Sequence, residues 1–113
     1  MSSTESVPTE PIQLDSAADF DDLVADHDTV LVDFYADWCG PCQMMEPAVE
    51  SVASDTDAAV VKVDVDRHQA LAGEYGVQSI PTLLVFSGGE MVEQMVGAQS
   101  ESALHGAVTE NIA

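Results

Sequence analysis

The chain has 113 residues, 46% of them hydrophobic, and sets 21 acidic side chains against two basic ones, Lys62 and Arg67, for a formal net charge of −19. That length fits one compact domain with an ordinary core, and no segment approaches the roughly 20 apolar residues that span a bilayer. Binding to a phosphate backbone depends on clustered Lys and Arg, so a nucleic-acid partner is excluded.

Residues 1–11, "MSSTESVPTEP", lack a basic n-region and an apolar h-region, so they read as a short disordered tail and not as a secretory signal. One domain is expected over 12–113. The acidic residues run from Glu5 to Glu110, interleaved with core-forming segments, which differs from a concentrated acidic tail. A surface so depleted of cations repels itself at low ionic strength. Molar salt shrinks the screening length to about 3 Å and relieves that repulsion. The pattern points to a salt-rich cytoplasm, as in extreme halophiles.

"PIQL" offers a first short strand. "DSAADFDDLVADHD" follows as a helix, with Ser16 as N-cap and Phe20, Leu23 and Val24 forming its apolar face. "TVLVDFYA", 29–36, is apolar except for Asp33 and fits a central strand covered on both faces. The next helix is expected from Gly40 or Pro41 to about Ser54, with Pro41 tolerated in the first turn and Pro47 kinking the interior. "AAVVKVDVD", 58–66, predicts another buried strand, and "HQALAGEYG" a short helix closed by Gly76. "TLLVF" and "EMVEQMV" flank "SGG" as a hairpin. From Ser100, Leu104, Val108 and Ile112 recur every fourth residue and mark a last amphipathic helix. The order βαβαβαββα predicts an α/β domain whose early crossovers make parallel strands with helices on both sides.

The only cysteines, Cys39 and Cys42, lie in "YADWCGPCQMMEP". A zinc site wants about four ligands, and His27, His68 and His105 are too scattered to complete one. Haem attachment would need His where Gln43 stands, and an iron–sulfur cluster more thiols. No metal is expected. As a dithiol, the pair falls on one face of a helix's first turn, where the partial positive charge favours thiolate at Cys39. Cys39 is expected to be exposed and attack first, with Cys42 shielded until it resolves the mixed disulfide.

"WCGPC" after "VDFYA", together with "SIPTLLVF" and "VGA" downstream, closely resembles the thioredoxin family over about residues 12–113. The resemblance implies a central five-stranded mixed sheet flanked by four helices, in the order β1-α1-β2-α2-β3-α3-β4-β5-α4. It implies a monomeric, cytoplasmic protein-disulfide reductase, without a bound cofactor, that passes electrons from a Cys39–Cys42 redox pair to disulfide-containing proteins. A thioredoxin reductase would recharge it. Pro41 between the cysteines, where oxidases and isomerases of the superfamily usually carry His, favours the reducing role. Those relatives and a redox-inert binding module are the alternatives. A cation buffer ranks below them, because the carboxylates lack EF-hand spacing.

Two charged residues interrupt apolar strands. A buried lone carboxylate is costly, so Asp33 is expected to have a pKa raised toward neutrality. Lys62 is the only lysine and occupies a core-like position; a nearby buried carboxylate would account for it, and a snorkelling strand residue is the plainer alternative. By resemblance, Asp33 takes the Cys42 proton through a water and Lys62 tunes Asp33. Trp38 is expected to shield the thiolate and touch substrate, with Gly40 and Pro41 shaping the turn. By the same resemblance, the Ile80–Pro81 bond is cis and lies against the dithiol, where the backbone pairs with an extended substrate. Gly97 and Ala98 would form a small-residue loop that leaves room for it. The chain departs from the family at Gln43, where lysine is common, and at Tyr35, where tryptophan is frequent. The loss of that cation and the nearness of Asp37 are expected to make Cys39 somewhat less acidic.

Overall fold

The computed structural model describes residues 7–112. Its elements are β1 (Ile12–Gln13), a 3₁₀ turn (Ala17–Asp19), α1 (Phe20–Asp26), β2 (Thr29–Tyr35), α2 (Gly40–Asp55), β3 (Ala59–Asp64), α3 (Gln69–Glu74), β4 (Thr82–Ser87), β5 (Glu90–Val96) and α4 (Glu101–Thr109). The expected tail falls partly outside the described residues, at 1–6. Val7 packs against the core.

The strands form one sheet in the order β1-β3-β2-β4-β5. β3 pairs parallel with β1 and β2, whereas β4 pairs antiparallel with β2 and β5, so the sheet is mixed. All seven residues of β2 are buried. A central strand covered on both faces requires that, and it explains why "TVLVDFY" reads as a continuous apolar run with one flaw.

Alternate residues of the central strands serve different layers. Val30, Val32 and Phe34 of β2 face α1 and α3 and share a cluster with Phe20, Val61, Val63, Leu71, Leu84 and Phe86. Tyr75 joins it edge-on to Phe86, with ring centroids 5.8 Å apart. Such aromatic pairs add about 0.5–1.5 kcal/mol beyond their buried area. Leu31, Val60, Leu83 and Val85 face the other way and pack beneath Met45, Val49 and Val52 of α2 and Leu104 and Val108 of α4.

The helix boundaries follow local chemistry. Ser16 accepts the Ala18 N–H, yet the chain first makes a 3₁₀ turn, so α1 begins only at Phe20. Ser100 accepts the Ala103 N–H at 3.0 Å and starts α4. α3 ends at Glu74, and Gly76 takes φ +68°, a left-handed conformation that glycine adopts without a Cβ penalty.

Candidate functional site

The cysteines stand where β2 hands over to α2. Cys39 is the N-cap residue of α2, with extended backbone, and its Sγ accepts the Cys42 N–H at 3.2 Å. Pro41, which has no N–H to leave unpaired, occupies the first turn with Gly40. The two cysteines are joined by a disulfide, their Cα atoms 5.3 Å apart. Both are buried, Cys39 at 4% exposure and Cys42 at 3%. The expected contrast between an open Cys39 and a shielded Cys42 is therefore absent from the bridged form. The bridged pair lies in a cluster with Tyr35 and Ala36, against which Ile80 packs.

Asp33 is 1% exposed. It lies on the α2 face of β2, between Leu31, which packs under Met45 and Val49, and Tyr35, which packs with the cysteines. Its Oδ1 has no hydrogen-bond partner among the described residues. Burial pushes the carboxyl up from 3.8 to about 6; Lys62 pulls it back part of the way, and Glu46 opposes Lys62.

Lys62 is directly opposite Asp33 in the parallel β2–β3 register, so both charges share the α2 face. Its ion pair, however, is with Glu46, Nζ to Oε2 at 3.4 Å. The ammonium also sits over the Tyr35 ring, 4.4 Å from the centroid. Glu46 does not stand out in the sequence, where it looks like one more solvated acid. The available clue was helical spacing: Glu46 follows Cys42 by four residues on α2, so it projects from the same side of the helix.

The rim of the site is open. Trp38, Val65, Val77, Gln78, Ser79 and Ile80 line a groove of about 420 Å³. Trp38 is 69% exposed, and its indole N–H donates to Asp66 Oδ2 at 2.8 Å. It stands at the groove edge with its indole tied to Asp66. Asp66 is a second residue that the sequence did not single out, because its contact with Trp38 joins segments 28 residues apart.

The Ile80–Pro81 bond is cis, and Ile80 packs against the cysteine pair. Gly97 adopts φ +90° and donates its N–H to the Pro81 carbonyl at 2.8 Å, which ties the "VGA" segment to this loop. Ala98 beside it is exposed. The Gln43 side-chain amide donates to the Asp37 carbonyl at 2.6 Å. No group of three or more His, Cys, Asp or Glu side chains among the described residues is placed to hold a metal ion.

Comparison with known proteins agrees with this geometry. The thioredoxin family model matches residues 11–110. The chain belongs to the thioredoxin family. It is 41% identical over 103 residues to the thioredoxin of Mycobacterium bovis, covering 89% of each chain. A mutant thioredoxin from Halobacterium salinarum superposes with a TM-score of 0.91 at 52% identity, over 95% of each chain. Over 95 residues, 82% of this chain, it is also 43% identical to the bifunctional thioredoxin reductase/thioredoxin of Mycobacterium leprae, of which the match covers 21%. It is accordingly a thiol–disulfide oxidoreductase that exchanges electrons with protein disulfides through Cys39 and Cys42 and is recharged by a thioredoxin reductase.

Proposed function

We propose that Asp33 is the proton acceptor of this thioredoxin, serving Cys42 in the second of two exchange steps. In the first step the Cys39 thiolate attacks a substrate disulfide, forming a Cys39–substrate bond and releasing one substrate thiolate. The Cys42 N–H, which points at Cys39 Sγ, is the donor that favours the thiolate form. In the second step Cys42 gives its proton to Asp33 and attacks Cys39 Sγ. The mixed disulfide breaks, the second substrate thiolate leaves, and the substrate has gained the two electrons that the protein has lost. The single observation that carries this reading is a buried carboxyl with one unpartnered oxygen on the sheet face covered by the cysteine helix; its burial pushes the carboxyl up to about 6. A base poised near the working pH transfers protons most effectively.

The groove between Trp38 and Ile80 is the docking place for an extended substrate segment, which pairs with the backbone before Pro81 as an added strand. Gly97 and Ala98 keep the adjoining surface low, and Lys62 tunes Asp33. The protein acts as a cytoplasmic monomer. No helix of the described residues is long and apolar enough to cross a membrane.

Insulin reduction coupled to a thioredoxin reductase tests the activity. Wild type turns over, Cys39→Ser does not, and Cys42→Ser retains substrate proteins bound covalently through Cys39. Absence of both turnover and trapping would end the reductase reading.

The charge of −19, together with the likeness to a Halobacterium thioredoxin, supports a salt-adapted protein. Its melting temperature is expected to rise between dilute buffer and molar KCl, as counter-ions screen the surface. Equal melting temperatures in the two solutions would contradict salt adaptation.

A further inference from the structure

Asp33 does not meet the lysine's charge alone. Lys62 is in register with it across β2 and β3, but the ammonium is drawn outward to Glu46 at 3.4 Å. The pair spans the border between inside and outside, with the lysine side chain 17% exposed and the glutamate side chain 45%. From below, the Tyr35 ring supports the ammonium at 4.4 Å. Lys62 thus has an acidic partner on α2, an aromatic seat on β2, and Asp33 as a third claimant. We propose that Glu46 is a positioning residue for the proton acceptor: its carboxylate holds the Lys62 ammonium at the mouth of the Asp33 recess and so sets how much of that charge Asp33 feels.

The charges around Asp33 are few. From β3 come Lys62 and, two pairs further along opposite Tyr35, Asp64. From α2 comes Glu46, four residues beyond Cys42; both cysteines are locked in the disulfide and do not titrate in the oxidised protein. β4 contributes Leu83, which lies opposite Asp33 and carries no charge. Tyr35 on β2 is the remaining titratable neighbour. It stays neutral over the relevant range because burial moves its phenol further above its usual value of 10.0. Lys62 and Glu46 are the charges that bear on Asp33, and they act in opposite directions. One glutamate on the cysteine helix therefore acts in two ways. It repels the ionised acceptor directly, and it also engages the cation that would otherwise stabilise that form.

The inference rests on Asp33 being the acceptor, but the experiment does not. The oxidised protein has no cysteine titration, so the Asp33 carboxyl can be followed by NMR across pH in wild type, Glu46→Gln, Lys62→Met and the double variant. Glutamine keeps the shape and a carbonyl acceptor but removes the charge. The Asp33 midpoint is expected to fall by about half a pH unit or more in Glu46→Gln and to rise in Lys62→Met. The decisive comparison is the cycle. If Glu46 works through the lysine, its effect shrinks once Lys62 is gone. An unmoved midpoint in Glu46→Gln, or the same downward shift in the presence and absence of Lys62, overturns the proposal. In the reduced protein, the acid limb of the Cys42 resolution step is expected to move the same way as the midpoint. The acceptor role itself is decided separately, by the rate of that step in Asp33→Asn.

Discussion

The two faces of the sheet are built from alternate residues of the same strands, yet they do different work. On the α1 and α3 face, Val30, Val32 and Phe34 of β2 join an apolar and aromatic cluster. On the α2 and α4 face, the sequence Leu31, Asp33, Tyr35 starts in a dry core and ends against the cysteines. Lys62 and Glu46 are brought in beside it. A period of two lets one strand stabilise the fold with one set of side chains and hold a reactive carboxyl with the other. The α1 and α3 face therefore serves stability alone, whereas the α2 and α4 face carries a second core and the chemistry together.

The largest break in this division is expected on the quiet face. Phe34→Ala empties a fully buried site beside Tyr75 and is predicted to cost about 3–5 kcal/mol in denaturant unfolding. The remaining folded protein keeps its exchange rate per molecule. A variant that loses activity while remaining fully folded would show that the faces are not separable.

A change of the opposite sign is expected on the reactive face. The folded-state pKa of Asp33, about 6, lies above its usual 3.8. Below about pH 4 the carboxyl is protonated in folded and unfolded chains alike, and its burial carries no ionic penalty. Between about 4 and 6 the unfolded chain releases the proton first, so stability falls as pH rises; above 6 the penalty is complete. Two pKa units correspond to about 3 kcal/mol. Asp33→Asn is therefore predicted to stabilise the fold by about 2–3 kcal/mol at pH 7.5, with the gain disappearing below about pH 4. Urea unfolding at the two pH values checks this, and a gain that does not depend on pH would refute the ionic explanation.

The smallest effect belongs to neither face. Ser100→Ala removes the N-cap of α4, whose side chain accepts the Ala103 N–H, and is predicted to cost about 1 kcal/mol without changing exchange activity. Unfolding midpoint and insulin reduction measured together would check both halves of that statement.

Much of this arrangement is legible in the residues. β5 begins and ends where the alternation around "SGG" places it, and Ser100 and Gly76 bound their helices through cap chemistry that acts within four residues. Asp33 and Lys62 stand out because a charge inside an apolar run is visible without a structure. What is not legible depends on long-range geometry. Glu46 and Asp66 are two among 21 acidic residues, and only the packing of α2 over β3 and the turn after β3 give them Lys62 and Trp38 as partners. The near-equal burial of the cysteines was missed for another reason: the expectation described an open dithiol, and the structure holds the bridged pair.

Whether Asp33 accepts the Cys42 proton as the mixed disulfide resolves can be timed in a single turnover. Reduced protein is mixed with an aromatic disulfide whose thiolate absorbs visibly, and the second thiolate release is followed by stopped flow across pH. For wild type, that rate is predicted to rise with pH as the acceptor ionises, and in Asp33→Asn to be slower and to lose this limb. Identical rates and pH profiles in the two proteins would mean that Asp33 is not the acceptor.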